Sequence, residues 1–284
     1  MWVSVMKLVF VYFILGYRVY RIIITIKIVS AGLPPDTVTT YSYILTTKNI
    51  QKNFQKRLAI LFSLCYNKTI ESKHTKRNEV TSMRIKGFSF SEGNSKMGRV
   101  GSFSVMPGIT CAHCEECYKD CYSRKMIAYR KSVRQAYEDN TKALMIDHRY
   151  DEFVNAACMF IDYNEYKLFR LNVSGDFFSF DYLNACCEIA RRNPDVKFLA
   201  FTKQYEIVGE ALELGLIPSN FNIVFSAWNT LIPENKDSVP VAYYDDGEHE
   251  DLIDPKATVC DGNCQKCKKC FYLGKGESVR FAKH

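Results

Sequence analysis

Eight of the twelve cysteines in this chain of 284 residues fall into two short runs, and this feature constrains the fold most. The runs are Cys111, Cys114, Cys117, Cys121 and Cys260, Cys264, Cys267, Cys270. Disulfide frameworks are typical of short secreted chains that cannot bury a core, whereas this chain is long enough to bury one. Several thiols so close together in sequence suit a shared metal better than paired disulfides. We therefore predict that all eight thiols are metal ligands.

The spacing within the two runs favours iron–sulfur clusters over zinc. The first run reads C-x2-C-x2-C-x3-C, as in bacterial ferredoxin loops, although Tyr122 stands where those loops carry proline. The second run has the same spacings in reverse order. Short spacers bring several thiolates to one cubane, whereas zinc ribbons pair two distant C-x2-C knuckles. We expect one or two 4Fe-4S clusters, and the alternative is zinc held by each run or by knuckles from both.

Strand and helix patterns alternate through the last two thirds of the chain. The strand candidates are residues 102–105, 166–173, 196–202, 221–226 and 239–243, and the helix candidates are 123–143, 151–161, 181–192 and 204–214. Strands and helices that alternate at this spacing are typical of βα units in a parallel sheet. We therefore predict an α/β fold, either a partial parallel (βα) barrel or a wound sheet, followed by a cysteine-rich C-terminal segment.

Polar residues follow the predicted strands at their carboxyl ends, where parallel βα sheets bind ligands. The first cysteine run follows the first predicted strand, and polar residues follow each of the next three strands. We expect these groups to bind a cofactor, and they are Ser174, Gly175, Asp176, Thr202, Lys203 and Ser226. Lys203 could pair with a cofactor carboxylate, a substrate phosphate or Asp176, and Asp176 could instead cap the next helix. No residue is assigned a catalytic role from sequence.

The first 82 residues differ from the remainder in charge and pattern. They carry 12 of the 38 Lys and Arg residues but only 3 of the 31 Asp and Glu residues. We expect residues 1–82 to be an N-terminal extension and residues 83–284 to be the cysteine-rich α/β domain. The apolar stretch within residues 8–29 is too interrupted by charge for a spanning helix. The sequence leaves three alternatives for residues 1–82: an unfolded extension, a membrane-associated anchor or a folded part. We expect the main domain to be cytoplasmic.

Basic residues cluster in the first predicted helix of the main domain. They are Arg124, Lys125, Arg130, Lys131 and Arg134, with Tyr122 and Tyr129 among them. Such a cluster is compatible with a nucleic-acid surface, but a solvated helix face explains it as well because the excess of positive charge lies before residue 83. The chain has no glycine-rich phosphate loop, HExxH or GxSxG motif, so nucleotide hydrolysis and serine-hydrolase chemistry lack sequence support.

The order of these features is similar to that of radical S-adenosylmethionine enzymes. In that family a cysteine loop after the first barrel strand holds a cluster, and a glycine-rich acidic turn after the second strand contacts the amino group of the cofactor. The resemblance implies that Asp176 contacts S-adenosylmethionine and that the second run holds an auxiliary cluster. The family spacing C-x3-C-x2-C occurs in forward order only at Cys260, Cys264 and Cys267. An enzyme of this kind needs an electron donor, and its substrate stays undefined.

Residues 83–284 also resemble the gene product 88 domain family of phages. The matching segments are Gly93-Asn94-Ser95-Lys96-Met97-Gly98, Ser102-Phe103-Ser104, Thr110 to Cys117, Cys121-Tyr122, Phe169-Arg170, Ser174-Gly175-Asp176-Phe177-Phe178, Phe201-Thr202-Lys203, the terminal cysteines, Val279-Arg280-Phe281 and His284. The resemblance implies that Cys111, Cys117 and Cys121 form a three-thiolate site in which Cys114 is extra. It implies a phage or prophage origin and a host-cytoplasmic location, but no reaction. The alternative to a radical enzyme is a zinc-stabilised binding module that meets nucleic acid.

Overall fold

The computed structural model describes residues 5–10, 21–29, 38–46, 70–73 and 82–283. The side chain of Cys114 and all of His284, two of the residues predicted from sequence, lie outside this description. The chain divides into two units, Met1–Lys68 and Thr69–His284. The second unit begins before the predicted domain start at residue 83, because backbone pairing brings strand Ile70–Lys73 into its sheet.

The first unit contains a three-stranded antiparallel sheet in the order β1-β2-β3. Its strands are β1 (Val5–Phe10), β2 (Arg21–Val29) and β3 (Val38–Thr46). The β-branched residues that fill β2 favour extended backbone over helix. The apolar stretch at residues 8–29 therefore contributes strands, and no helix in the described part of the chain is long and apolar enough to cross a membrane.

The second unit is built on a ten-stranded sheet in the order β4-β5-β6-β7-β8-β9-β10-β11-β13-β12. Its strands are β4 (Ile70–Lys73), β5 (Ser82–Ile85), β6 (Phe88–Ser91), β7 (Gly101–Phe103), β8 (Leu168–Arg170), β9 (Lys197–Thr202), β10 (Phe221–Trp228), β11 (Val241–Asp245), β12 (Thr258–Val259) and β13 (Ser278–Ala282). The first four pair antiparallel, whereas β7 to β13 are all parallel. The predicted α/β fold with a parallel sheet is confirmed.

The second unit contains the four predicted helical regions, of which the first is divided, and two short helices in the cysteine runs that were not predicted. They are α1 (Cys114–Cys117), α2 (Tyr122–Tyr129), α3 (Lys131–Thr141), α4 (Tyr150–Tyr163), α5 (Phe180–Arg192), α6 (Tyr205–Glu213) and α7 (Cys264–Cys267). The single helix predicted at 123–143 is wrong, because the backbone of Arg130 (φ −108°, ψ 87°) separates α2 from α3. The predicted stop after α6 is present: Gly215 has φ +64°, and the N–H of Leu216 donates to the carbonyl of Ala211.

Sequential strand order gives the parallel sheet two different faces. From β7 to β11, chain neighbours are sheet neighbours, so right-handed crossovers place their helices on one face. That outer face is aromatic: the rings of Phe103 and Phe153 are 4.4 Å apart, and Phe169 contacts Phe160 of α4. The opposite face, called here the inner face, is an apolar row of one residue from each of five strands. The row is Leu168, Leu199, Val224, Ala242 and Val279.

The C-terminal cysteine segment covers this inner face. Phe271 and Leu273 are buried against the apolar row, and three cysteines of the second run are partly buried beside them. Asn222 on β10 donates a hydrogen bond of 2.7 Å to the carbonyl of Cys270. On the other side, the carbonyl of Lys96 accepts from the N–H of Gln265 in α7 at 2.9 Å. The segment that begins at residue 93 therefore holds α7 against the sheet.

Candidate ligand site at the carboxyl edge of the sheet

Asp176 joins the carboxyl ends of β8 and β9. Its Oδ1 accepts from the Thr202 hydroxyl (2.6 Å) and from the N–H of Phe177 (2.8 Å), while Oδ2 accepts from the N–H of Lys203 (2.9 Å). Burial raises the pKa of Asp176, and these three hydrogen bonds oppose that rise. A carboxylate offers about four acceptor positions. Asp176 is therefore mainly occupied by its own protein partners.

Gly175 brings the acidic turn against the loop that leads to the first cysteine run. It has φ +78°, and a Cβ there would lie 2.4 Å from Cγ2 of Val105 and 2.6 Å from Oγ1 of Thr110. The same Thr110 oxygen accepts from the N–H of Asp176 at 3.2 Å. Only glycine permits this backbone and this approach. The close contact is made to protein, and it fixes the turn beside the cysteine loop.

Lys203 and Ser226 meet at the ends of β9 and β10. Lys203 is only 8% exposed, and its Nζ lies 3.3 Å from Oγ of Ser226 and 4.9 Å from the ring centroid of Trp228. The Trp228 ring stacks on Tyr244 with centroids 3.8 Å apart. The hydroxyl of Tyr205 donates to the carbonyl of Ser226 at 2.6 Å. This group forms an aromatic wall beside a buried ammonium.

The first cysteine run lies at the same edge. The ring of His113 stacks on Tyr205 with centroids 6.1 Å apart. Burial, and then the nearby charges of Asp176, Glu206 and Cys117, raise the pKa of Tyr205. Asp120 accepts from the hydroxyl of Tyr244 at 3.3 Å, and the hydroxyl of Tyr122 donates to the carbonyl of Val173. The loop therefore spans the ends of several strands, beside the six residues predicted to bind a cofactor.

The second cysteine run lines a cavity of about 50 Å³ against the inner face. All four of its cysteines are among the residues that border that cavity, together with Arg170 and Phe201. Burial, and then the charges of Cys260 and Cys264, raise the pKa of Cys270 to about 12, while Arg170 acts to lower it. The N–H of Gly262 donates to Sγ of Cys260 at 3.4 Å. The four cysteines of the second run thus border the same small cavity.

The thiols fit a metal by chemistry and by position, but they are not drawn together. Thiolates are the ligands that zinc and iron–sulfur clusters prefer. Within the described residues, however, no group of three or more His, Cys, Asp or Glu side chains is arranged to hold a metal ion. Cys111, Cys117 and Cys121 are partly exposed, and Cys117 is the last residue of α1. Because the described thiols are not grouped, binding one metal through them would require side chains to move.

Sequence reasoning missed Arg170, Tyr205 and Tyr244 as members of this edge. Arg170 ends β8 two residues after Leu168 of the apolar row, and strand alternation places both side chains on the inner face. A basic residue at the last position of an apolar strand was the available signal for Arg170. Tyr205 and Tyr244 carry no local signal, because their partners are distant in sequence.

These observations define the class of protein: a mixed α/β protein whose sequentially wound parallel sheet carries a cysteine loop and buried polar groups at its carboxyl edge. The sequence model described as gene product 88 matches residues 59–254, and the chain belongs to the gene product 88 family. The matched range includes the first cysteine run and the six predicted cofactor-binding residues, and it ends before the second cysteine run.

Two phage proteins are similar to this chain. The gene 88 protein of Mycobacterium phage D29 is 27% identical over 183 residues, which are 61% of this chain and 72% of that protein. The gene 88 protein of Mycobacterium phage L5 is 31% identical over 121 residues, which are 39% of this chain and 51% of that protein. No solved structure matches the chain.

Proposed function

We propose that the chain is an iron–sulfur protein of phage origin, with the layout of a radical S-adenosylmethionine-like enzyme. The observation that carries the proposal is the contact between the cysteine loop and the acidic turn. Thr110, directly before Cys111, accepts from the N–H of Asp176 and packs against Gly175. The first cysteine run and the residues predicted to bind the cofactor thus share one edge of a parallel sheet, where such sheets bind ligands.

In this proposal Cys111, Cys117 and Cys121 hold the cluster. A reduced cluster with one open iron would supply the electron that cleaves a sulfonium cofactor, and an external electron donor is required. Asp176 fixes the positions of Thr202 and Lys203, and Lys203 offers an ammonium to the cofactor or the substrate. The stacked rings of Trp228 and Tyr244 help to keep water from the edge. The second cysteine run would hold an auxiliary cluster.

The second candidate function is a zinc-stabilised binding module. Three thiols of the second run pack into the apolar inner face, which is the position of a structural metal rather than a reactive one. In this reading helices α2 and α3 contact nucleic acid through the exposed residues Lys125, Arg130 and Lys131, beside the highly exposed ring of Tyr129. In either reading free thiols require a reducing compartment, and we propose the host cytoplasm.

Metal analysis separates these two functions. Protein purified without oxygen should contain iron and acid-labile sulfide, and the double variant Cys111→Ala, Cys117→Ala should lose part of both. The matched control is Cys158→Ala, which removes a thiol outside both runs. Iron, sulfide and zinc are measured on each preparation. A colourless protein with about one zinc per four-cysteine run would contradict the proposed iron–sulfur enzyme and support the zinc-stabilised binding module.

A further inference from the structure

A larger cavity than the one at the second cysteine run lies between the sheet and helices α2 and α3. Its volume is about 160 Å³, and it is bordered by residues of β6 and β7 and of the two helices. The described residues that line it include none of the six predicted to bind a cofactor. A protein cavity of about 150 Å³ can hold benzene. This cavity therefore has room for one six-membered ring.

Four serines in and beside β6 and β7 face this cavity. Phe90 and Phe103 point to the outer face, where Phe90 stacks on Phe160 of α4 with ring centroids 4.9 Å apart. Because side chains alternate along a strand, the serines beside these rings point to the inner face. Ser91 and Ser102 are direct partners in the register of the two strands. The serines that line the cavity are Ser89, Ser91, Ser102 and Ser104.

These hydroxyls keep hydrogen-bonding capacity for a ligand. Oγ of Ser91 accepts from the N–H of Gly93 at 3.4 Å, and Oγ of Ser104 accepts from the N–H of Ser174 at 3.2 Å. A hydroxyl has one donor and two acceptor positions, so one such contact does not saturate it. Ser102 is only 5% exposed, so a polar group that enters the cavity meets its hydroxyl away from bulk water.

Aromatic and thioether side chains from the helices form the rest of the wall. Tyr122 and Met126 lie one turn apart on α2, and Val133 and Tyr137 lie one turn apart on α3. Each pair therefore shares a helix face. The hydroxyl of Tyr122 donates to the carbonyl of Val173, which also lines the cavity. The ring of Tyr122 is thereby tied to the loop that leads into the acidic turn.

The lining carries no charge. Among the described residues that border the cavity, none is Asp, Glu, Lys, Arg or His. Burial raises the pKa of Tyr137, and a hydrogen bond with Ser104 opposes that rise only in part, so the phenol is neutral at neutral pH. A charged ligand would lose its hydration here without gaining a partner of opposite charge. The cavity therefore suits a neutral molecule.

We propose that this cavity binds a neutral heteroaromatic ring of the size of a free nucleobase, with its polar edge against the serines. Such a ring carries donors and acceptors on its edge, which hydroxyls match because they both donate and accept. Its apolar faces suit the rings of Tyr122 and Tyr137 and the thioethers of Met97 and Met126. Tyr122 directly follows Cys121, so the ligand lies beside the first cysteine run. Its role as a substrate rests on the proposed function, whereas its binding does not.

Calorimetric titration of the full chain, purified without oxygen, tests the site. The probes are uracil and adenine, and glucose is the neutral comparison of similar size without an aromatic face. We expect saturable binding of at least one base and no binding of glucose. Glucose binding as tight as that of either base would contradict the aromatic class of the ligand. Absence of binding by all three would contradict the site itself.

Two pairs of variants connect the binding to the cavity. Ala136→Leu fills the cavity from α3 and should abolish binding, whereas Ala128→Leu at an exposed position of α2 outside the lining should not. Ser102→Ala should weaken binding about fivefold, because the ligand loses a hydrogen bond. Its control is Ser123→Ala, which removes a buried hydroxyl of α2 outside the lining. If Ala136→Leu fails to fold by circular dichroism, the two serine variants still decide the outcome.

Two results with these variants would overturn the inference. One is unchanged affinity in folded Ala136→Leu, and the other is an equal loss of affinity in Ser102→Ala and Ser123→Ala. Iron, sulfide and zinc are measured on the same samples. Base binding to a protein without iron would refute the cluster and leave this site standing, and a cluster without base binding would refute this site alone.

Discussion

The buried carboxylate of Asp176 holds its neighbours in position, and its oxygens are already occupied by protein donors. Its carboxylate holds the hydroxyl of Thr202 and the backbone of Lys203, so the ends of β8 and β9 keep a fixed spacing. Charge-assisted hydrogen bonds of this kind each contribute more to stability than neutral ones. We interpret Asp176 first as a positioning residue for Lys203, and only second as a contact to a ligand.

Replacing Asp176 tests its protonation in the folded state. Burial raises its pKa above the ordinary value of 3.8, so the folded protein takes up a proton there at a higher pH than the unfolded chain does. The contribution of Asp176 to the free energy of unfolding therefore increases as the pH falls through the raised pKa towards 3.8. We expect the stability difference between wild type and Asp176→Asn to shift in favour of wild type between about pH 7 and about pH 4.

Urea unfolding at several pH values measures this difference. The matched control is Asp181→Asn, which removes an exposed carboxylate in the first turn of α5. Comparison of each variant with wild type cancels the other acids, among them Glu188 and Asp254, whose pKa values are lowered by hydrogen bonds and which act in the opposite direction. If the difference in free energy of unfolding between wild type and Asp176→Asn does not change with pH, the raised pKa of Asp176 is contradicted.

At the scale of elements, the turn at residues 93–98 decides how closely α7 approaches the sheet. Oδ1 of Asn94 accepts from the N–H groups of Lys96 and Met97, which fixes the turn. Gly98 has φ +70°, and a Cβ there would lie 2.7 Å from Cγ of Gln265 in α7. Residues 93–98 are among the segments that resemble the family. Their contact with Gln265 in the second cysteine run, however, is seen only in the tertiary structure.

Gly98→Ala should therefore displace α7 as well as strain the turn. We expect it to lower the free energy of unfolding by about 1–3 kcal/mol more than Gly276→Ala does, and to increase the reaction of Cys264 and Cys267 with a thiol reagent. Gly276 is the matched control, because its φ of +72° is nearly the same and a Cβ there would meet nothing within 4 Å. Equal effects of the two substitutions would show that backbone strain alone accounts for the loss.

At the scale of the whole molecule, the sheet of the second unit has two faces that are covered by different means. The outer face is covered by helices that lie between the strands in sequence. The inner face is covered by the C-terminal segment, whose Phe271 and Leu273 pack against Leu199 and Val224. Burial of such apolar surface contributes about 25 cal/mol per Å² to the free energy of unfolding. The C-terminal segment is thus part of the core of this unit.

Deletion of residues 256–284 should expose the inner face. We expect such a chain to bind a dye specific for exposed apolar surface and to aggregate, because Leu199, Val224 and Ala242 lose their cover. The control is deletion of residues 1–68, which removes the other unit as a whole. Dye fluorescence and light scattering measure both effects. A truncated chain that stays monomeric and dye-free would contradict the assigned role of the C-terminal segment.

The sequence by itself determined the features that depend on local pattern. Alternating apolar periods predicted the parallel α/β sheet, since side chains repeat every two residues in a strand and about every 3.6 in a helix. The polar residues after the strands were placed correctly at one edge, because parallel strands end on the same side. The family was also recognisable from short segments such as Ser174-Gly175-Asp176.

Only the tertiary structure decided the features that depend on distant partners. Arg130 interrupts a segment with good helix formers and neither glycine nor proline, so no local signal marks the break. The inward direction of Arg170 and the stacking of Trp228 on Tyr244 follow from the register of neighbouring strands. The docking of the second cysteine run on the inner face follows from contacts with residues such as Lys96 and Asn222, which lie far from it in sequence. Such contacts are set by packing in three dimensions, which the local periodicity of a sequence does not encode.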